Sequence, residues 1–310
     1  MKVNTTSMSR EDWLKERMKS IGGSDVGNIL GVGYQTPLYI YYTKVGERDT
    51  DIEINSRMEA GNRLEDVVAQ WCADENGLTI RNDNFMHYKK DNPILSANVD
   101  KIIVDKGERG NGILEVKTTS SFNVKKYEKG IPYNYMLQLQ HYLNVMDLEW
   151  GMVTMLIDGH DLRYETFTRD DALIDYIEQK CNEFWYNHVV PRIPPEPTDD
   201  NDLFLKYTDV NESIIKGDEV VYDDLDELRL VKGQIADLKK REKELSVKVK
   251  DYIGDNDTLT NEDGEVIATW KMTKPTMSLN TKALMKDEPE IYRKYAKERK
   301  ASRRFILKEV

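Results

Sequence analysis

Two carboxylates and a lysine, Asp100, Glu115 and Lys117, lie in and beside two short apolar runs, Ile102-Ile103-Val104 and Ile113-Leu114-Glu115-Val116-Lys117. The segment between the runs, Asp105 to Gly112, is rich in Gly, Asp and Asn, and the whole reads as a β-hairpin with a loose loop. Side chains alternate along a strand, so Ile113, Glu115 and Lys117 share one face while Leu114 and Val116 take the other. Antiparallel pairing of the runs brings Asp100 beside Glu115. Hard oxygen donors for a divalent cation, with an ammonium beside them, are what hydrolysis of a phosphate ester needs. An amphipathic hairpin with its polar face in water carries the same residues, and Asp-x14-Glu-x-Lys alone does not separate the two readings.

The flanking segments add to the first reading. Residues 56–75 read as a helix that stops at Asn76-Gly77. Met58, Gly61, Val68 and Cys72 form its apolar stripe, and Glu65 falls on that stripe while Glu59, Arg63, Asp66 and Gln70 fall elsewhere. A carboxylate facing a core is costly unless it pairs with a cation such as arginine or binds a metal. Nearer the N-terminus, a helix capped by Ser9 is followed by Ile21-Gly22-Gly23-Ser24-Asp25 and a short helix ending at Gly31. Ser24 is the expected N-cap. A helix start behind a glycine pair, with Arg17 upstream, can cradle a phosphate or be an ordinary capped helix. Asp25 would repel a phosphate and is expected to turn away from it. From Tyr135 a further helix places Gln138 and Tyr142 on one face. An amide can donate to a carboxylate and accept from a lysine at once. Gln140 reads as a surface residue and His141 as incidental. Thr36-Pro37 opens another helix, whose Tyr39, Tyr41 and Tyr42 are read as core.

These motifs together resemble the YqaJ-type viral recombinase nucleases, phage lambda exonuclease-like members of the PD-(D/E)xK superfamily. Asp100 with Glu115-Val116-Lys117 matches the superfamily signature, Trp13, Arg17, Ser24 and Asp25 match a W-x3-R-x6-S-[DE] element, Gly61 and Glu65 match G-x3-E, and Gln138 and Tyr142 match Q-x3-Y. The likeness covers about residues 10–190. It implies an α/β fold of the restriction-endonuclease-like PD-(D/E)xK type, a central mixed sheet flanked by helices. It implies that Glu65, Asp100, Glu115 and the Val116 carbonyl hold one or two Mg²⁺ ions, with Mn²⁺ as a possible substitute. Lys117 would position and help deprotonate the attacking water, Gln138 would support it with Tyr142 behind, and Arg17 and Ser24 would take a 5′-terminal phosphate. The implied activity is 5′→3′ exonuclease digestion of double-stranded DNA ends for recombination by strand annealing. A ring-like homo-oligomer and a single-strand annealing protein partner are implied with it. An endonuclease or repair nuclease of the same fold, or an inactive DNA-end-binding module, remain the alternatives.

Composition sets the frame. In 310 residues, 39% are hydrophobic and 33% charged, which suits a large globular domain plus an extension. No run approaches the ~18 apolar residues of a membrane span. The first residues lack a signal-peptide core, and Cys72 and Cys181 are too few for a disulfide framework, so a reduced cytoplasm is expected. A net charge of −11 means that any DNA contact is local. Lys125, Lys126 and Lys129 make one small basic cluster. Residues 150–159 and 162–167 read as paired strands, and a helix from Asp171 to Val189 ends at the proline-rich segment 191–197. The domain division expected there is a nuclease domain over 1–200 and an extension over 201–310. The extension holds one long helix with Leu228, Val231, Ile235, Leu238, Leu245, Val249 and Tyr252 in an a/d register broken by Glu242, read as a brace. A β-hairpin around 257–272 follows. Residues 271–310 carry twelve Lys and Arg against five Asp and Glu, a net +7 suited to phosphate backbones.

Overall fold

The computed structural model describes residues 1–47, 56–124, 130–207, 213–298 and 303–308. The chain forms two units, Met1–Asn211 and Glu212–Val310. The Lys125, Lys126 and Lys129 cluster lies outside the described residues.

The first unit opens with strand β1 (Lys2–Asn4), helix α1 (Arg10–Met18), strand β2 (Ile21–Gly22) and helices α2 (Gly23–Ile29), α3 (Pro37–Lys44) and α4 (Ser56–Asn76). Strands β3 (Ile80–Asn82), β4 (Phe85–Tyr88), β5 (Leu95–Ala97), β6 (Lys101–Ile103) and β7 (Gly112–Thr119) follow. Then come α5 (Ser121–Val124), α6 (Tyr133–Met146), β8 (Trp150–Ile157), β9 (Asp161–Thr168), α7 (Asp171–Phe184) with a π-helical turn Trp185–Val189, and α8 (Asp200–Lys206). Five strands make a mixed sheet in the order β3-β6-β7-β8-β9, and four make a smaller one, β1-β4-β5-β2. The fold is mixed α/β, as expected. The sequence of residues 78–90 reads as an edge strand and its neighbour interrupted at 81–84, but β3 and β4 belong to different sheets: β3 pairs with β6, whereas β4 pairs with β1 and β5.

The register of the central strands follows from the apolar pattern. β6 and β7 are antiparallel, with Lys101 opposite Leu114 and Ile102 opposite Ile113. β7 and β8 are parallel, so the chain must cross over between them, and α6 is that crossover. Every residue of β8 is buried, because helices cover both faces of the sheet there. On one face Ile102, Ile113 and Val153 pack with Leu137, Leu139 and Leu143 of α6. On the other, Ile103, Leu114, Val116 and Met152 pack with Leu64, Val68 and Cys72 of α4. Met58 is 40% exposed, so the buried stripe of α4 begins near Leu64, almost two turns later than its sequence pattern indicates. Cys72 and Cys181 are free and buried.

Local signals hold at several ends. The Ser9 side chain accepts from Asp12 N, Thr36 caps α3 with Pro37 in its first turn, and Gly31 takes φ +72 after α2. Tyr41 is core, and Tyr39 and Tyr42 pack against it. Ser24 is not an N-cap. α2 starts at Gly23, and the Asp25 carboxylate accepts from Gly22 N at 3.0 Å, so the helix is capped from within. Asp25 does turn away from the surface: it is buried and paired with the buried Lys44 at 2.6 Å. Lys44 also donates to the Arg17 carbonyl at 2.8 Å, which ties α3 to the end of α1. Burial pushes the Asp25 carboxyl up, but the Lys44 and Arg17 charges outweigh it and hold it below the usual range.

The first unit runs past the expected boundary at 200. Asp202 is fully buried, accepts from the Thr36 hydroxyl, and receives Thr198 N at 2.8 Å, so α8 closes over α3. The second unit holds α9 (Glu219–Ile253), a hairpin of β10 (Thr258–Thr260) and β11 (Val266–Thr269), and short helices α10 (Thr281–Asp287) and α11 (Pro289–Tyr295). The hairpin stands as read from sequence. Ile235, Leu238, Leu245, Val249 and Tyr252 are all exposed, so among the described residues nothing covers that part of the a/d register. Among the described residues no helix is long and apolar enough to cross a membrane.

The buried Asp25–Lys44 pair gives a direct test. Lys44→Met leaves the Asp25 carboxylate buried without its cation and is expected to cost about 3–5 kcal/mol of stability. Urea unfolding followed by tryptophan fluorescence measures it; a loss below about 1 kcal/mol, the scale of an exposed pair, would contradict the pairing.

Candidate active site

Strand ends build the floor of the site. Continuing the β6–β7 register by one residue sets Asp100 opposite Glu115, and an Asp100 carboxylate oxygen accepts from Val116 N at 2.8 Å. A strand residue points its N–H and C=O toward the same neighbour, so the Val116 carbonyl also opens beside Asp100. Lys117, two residues on and on the same face as Glu115, donates to Glu115 Oε1 at 2.5 Å. α6 crosses this face, and Gln138 Nε2 donates to the same Oε1 at 2.6 Å and to the Tyr142 hydroxyl at 3.0 Å. Gln138 and Lys117 therefore share one acceptor, Glu115 Oε1. Lys117 Nζ also sits 5.3 Å from the centre of the Tyr135 ring.

Burial and like charge govern the protonation of this floor. Asp100 is raised well above the usual carboxylate range, first by burial and then by the charge of Glu115. Glu115 is raised by burial, with Lys117 working against the shift. Burial alone would lower Lys117, but Glu115 and Asp100 outweigh it and hold the amine as an ammonium. Burial and the two carboxylates push Tyr142 far up, so it stays a neutral phenol. Glu115 Oε2 is buried and has no hydrogen-bond partner among the described residues. An orphaned carboxylate oxygen beside a second carboxylate and an open carbonyl fits a hard divalent cation.

Glu65 stands apart from this pair. It is half-buried on α4, close enough to add to the upward push on Asp100, but its Oε1 accepts from Lys101 Nζ at 3.1 Å. Lys101 also meets Asp66 Oδ1 at 2.8 Å. Among the described residues no three His, Cys, Asp or Glu side chains already stand in ligating positions. Sequence reading did not name Lys101. Its signal was there: a lysine opposite Leu114 on the core-facing side of β6, matched by a glutamate on the core stripe of α4.

α1 and α2 form the opposite wall. Arg17 Nη2 donates to Ser24 Oγ at 2.7 Å and its guanidinium lies 4.7 Å from the Trp13 ring, whose Nε1 donates to Asn98. Arg17, Ser24, Gly22 and Gly23 line one cleft of about 480 Å³ together with Asp100, Glu115, Lys117, Gln138 and Tyr142. Gly23 is required by close approach: a Cβ there would fall 2.5 Å from Tyr142 Cε1 and 2.9 Å from Gln138 Cγ. Gln140 is not a surface residue. It is buried, donating to Thr168 O and accepting from Asp170 N, which fixes the turn from β9 to α7. His141 is buried against the Ser96 carbonyl, 2.9 Å from its Nε2, and takes no part in the cleft.

Comparison with known proteins follows this geometry. A family model described as the YqaJ-like viral recombinase domain matches residues 12–149. The uncharacterized protein YqaJ of Bacillus subtilis (strain 168) is 33% identical over 319 residues, spanning 99% of this chain and 97% of the relative. Among solved structures, an alkaline exonuclease (LHK-Exo) from Laribacter hongkongensis is similar at TM-score 0.47 and 20% identity, over 57% of this chain and 91% of that one. A phage related exonuclease from Haemophilus somnus 129PT is similar at TM-score 0.39 and 14% identity, over 53% and 91%.

The Gly23 contact predicts coupling between the walls. Gly23→Ala is expected to cost about 1–3 kcal/mol through overpacking. In a Tyr142→Ala background the same substitution should cost less, because the nearer clash, with the ring, is gone and only that with Gln138 Cγ remains. Urea unfolding of the four proteins in this cycle gives the coupling, and additive losses would show that the two residues do not touch.

Proposed function

The chain belongs to the YqaJ-like viral recombinase family, and from that premise we propose that it is a metal-dependent DNA exonuclease acting on duplex ends. One observation carries the reading: the Arg17–Ser24 pair and the Asp100, Glu115 and Lys117 floor line the same cleft. A terminal phosphate held on the first places a neighbouring phosphodiester over the second, which suits digestion from a 5′ end.

Asp100, Glu115 and the Val116 carbonyl would hold Mg²⁺ or Mn²⁺, with Glu65 as a further donor for one or two ions. Such an ion eases deprotonation of its water and offsets charge building on the phosphate. Lys117, held as an ammonium by Glu115 and Asp100, would orient the attacking water and phosphate oxygens; with those carboxylates bound to an ion it would be able to accept the water's proton. Gln138 fixes Glu115 Oε1, which leaves Oε2 directed to ligation. Polarity 5′→3′, a ring-like homo-oligomer encircling DNA, a single-strand annealing partner and a cytoplasmic setting complete the proposal.

Asp100→Ala and Glu115→Ala are each expected to abolish metal-dependent cleavage while DNA binding persists, since removing a carboxylate also removes repulsion of phosphate. Lys117→Ala should slow cleavage by about 10²–10³-fold, the scale of one preorganised donor. Linear and closed circular duplex, each with and without Mg²⁺, are the substrates to compare. Cutting of the closed circle would shift the reading to an endonuclease, and undiminished turnover in either carboxylate variant would sink the site assignment.

The cradle is tested separately. Wild type should degrade 5′-phosphorylated duplex ends faster than 5′-hydroxyl ends, and Arg17→Ala should erase the preference while sparing the slower reaction. Equal wild-type rates on both ends would remove Arg17 and Ser24 from the mechanism.

A further inference from the structure

Lys101 is an unusual residue to bury. Its side chain is only 7% exposed, on the core-facing side of β6, directly after Asp100 in the chain. It is satisfied by two carboxylates of α4, Glu65 Oε1 at 3.1 Å and Asp66 Oδ1 at 2.8 Å. Both line the cleft with Asp100 and Glu115, but Asp66 is exposed and has water as an alternative partner, whereas Glu65 is half-buried. The lysine therefore engages Glu65, the carboxylate of the cleft whose charge adds to that of Glu115 in the push on Asp100.

We propose that Lys101 is a positioning residue that clamps Glu65 away from the divalent cation, so that cation affinity is set by exchange of Glu65 between Lys101 and the ion. This rests on the reading that Asp100 and Glu115 bind a divalent cation. The physical basis is competition for one acceptor. An oxygen that accepts from an ammonium is a poorer donor to a metal, and breaking the ammonium contact inside a half-buried cleft costs more than it would in water. The clamp keeps Glu65 ordered on α4 while it weakens cation binding, and an ion that loads must either do without Glu65 or displace Lys101.

Titration calorimetry with Mn²⁺ on the full-length protein, without DNA, tests the clamp apart from catalysis. Lys101→Met, similar in length and without charge, is expected to bind Mn²⁺ about tenfold more tightly, within the usual range of coupling between sites. Glu65→Gln alone should change the affinity little, because Glu65 is already engaged. Glu65→Gln added to Lys101→Met should return it to the wild-type value. Lys101→Gln, which keeps a polar head, should repeat the gain if the methionine variant fails to fold. Unchanged or weaker affinity in the lysine variants overturns the clamp. So does a gain that survives Glu65→Gln, which would reduce Lys101 to a repelling charge. Failure of the underlying reading looks different: wild type would then take up no Mn²⁺ that Asp100→Ala abolishes.

Discussion

Asp100 and Glu115 are held side by side where neither is well solvated, and the surrounding structure is shaped by that juxtaposition. Both carboxyls are pushed upward by burial, and Asp100 further by its neighbour's charge. The chain answers with Lys117, the Val116 N–H and the Gln138 amide, each aimed at one carboxylate oxygen. Glu115 Oε2 is left without a partner among the described residues, so the compensation stops short of completion. The arrangement depends on strand register. A slip of one residue between β6 and β7 would carry Glu115 and Lys117 to the α4 face and send Leu114 and Val116 into the cleft.

Topology then determines what can reach the pair. Because β7 and β8 are parallel, a crossover is obligatory, and α6 lies across the face that carries Glu115. Gln138 and Tyr142, one helical turn apart, are delivered to the carboxylate by that crossing. The same face receives the start of α2 at Gly23, with no room for a side chain between backbone and the Tyr142 ring. Behind it the Asp25–Lys44 pair holds α2 to α3 and, through the Arg17 carbonyl, to α1. The wall that carries Arg17 and Ser24 and the carboxylate floor thus meet through packed atoms.

What sequence disclosed follows the range of the interactions. Asp100, Glu115 and Lys117 were legible because a strand's period of two and one hairpin suffice to bring them together. Gln138 and Tyr142 were legible because a helix makes neighbours of residues four apart. The helix ends at Ser9, Thr36 and Gly31 were local matters as well. The N-cap was misplaced by two residues, at Ser24 instead of Gly22, because Asp25, expected only to turn away, caps the helix itself. Gln140 was read as surface because its partners, Thr168 O and Asp170 N, are backbone groups that no side-chain pattern announces. The separation of β3 from β4 into two sheets was invisible because their partners are distant in the chain. Lys101 and Glu65 were the intermediate case. Each broke a burial pattern on its own element, and the two irregularities resolve one another only when β6 and α4 are set face to face.

Charge in the cleft bears on how an acidic protein could accept a polyanion. Among the described residues the lining carries five carboxylates, Glu65, Asp66, Asp83, Asp100 and Glu115, against three cations, Arg17, Lys101 and Lys117. Formally that is a deficit of two positive charges, on a chain whose net charge is −11. A phosphodiester brought there alone meets repulsion from the floor, and Arg17 and Ser24 on the far wall offset only part of it. One divalent cation would supply the missing charge. Under the nuclease reading, metal and DNA are therefore bound to favour one another, with phosphate oxygens and carboxylates sharing the same ion. The basic excess of residues 271–310 can add affinity for the backbone, but under that reading the balance at the scissile bond is set within the first unit, where Lys101 and the incoming ion would contend for Glu65.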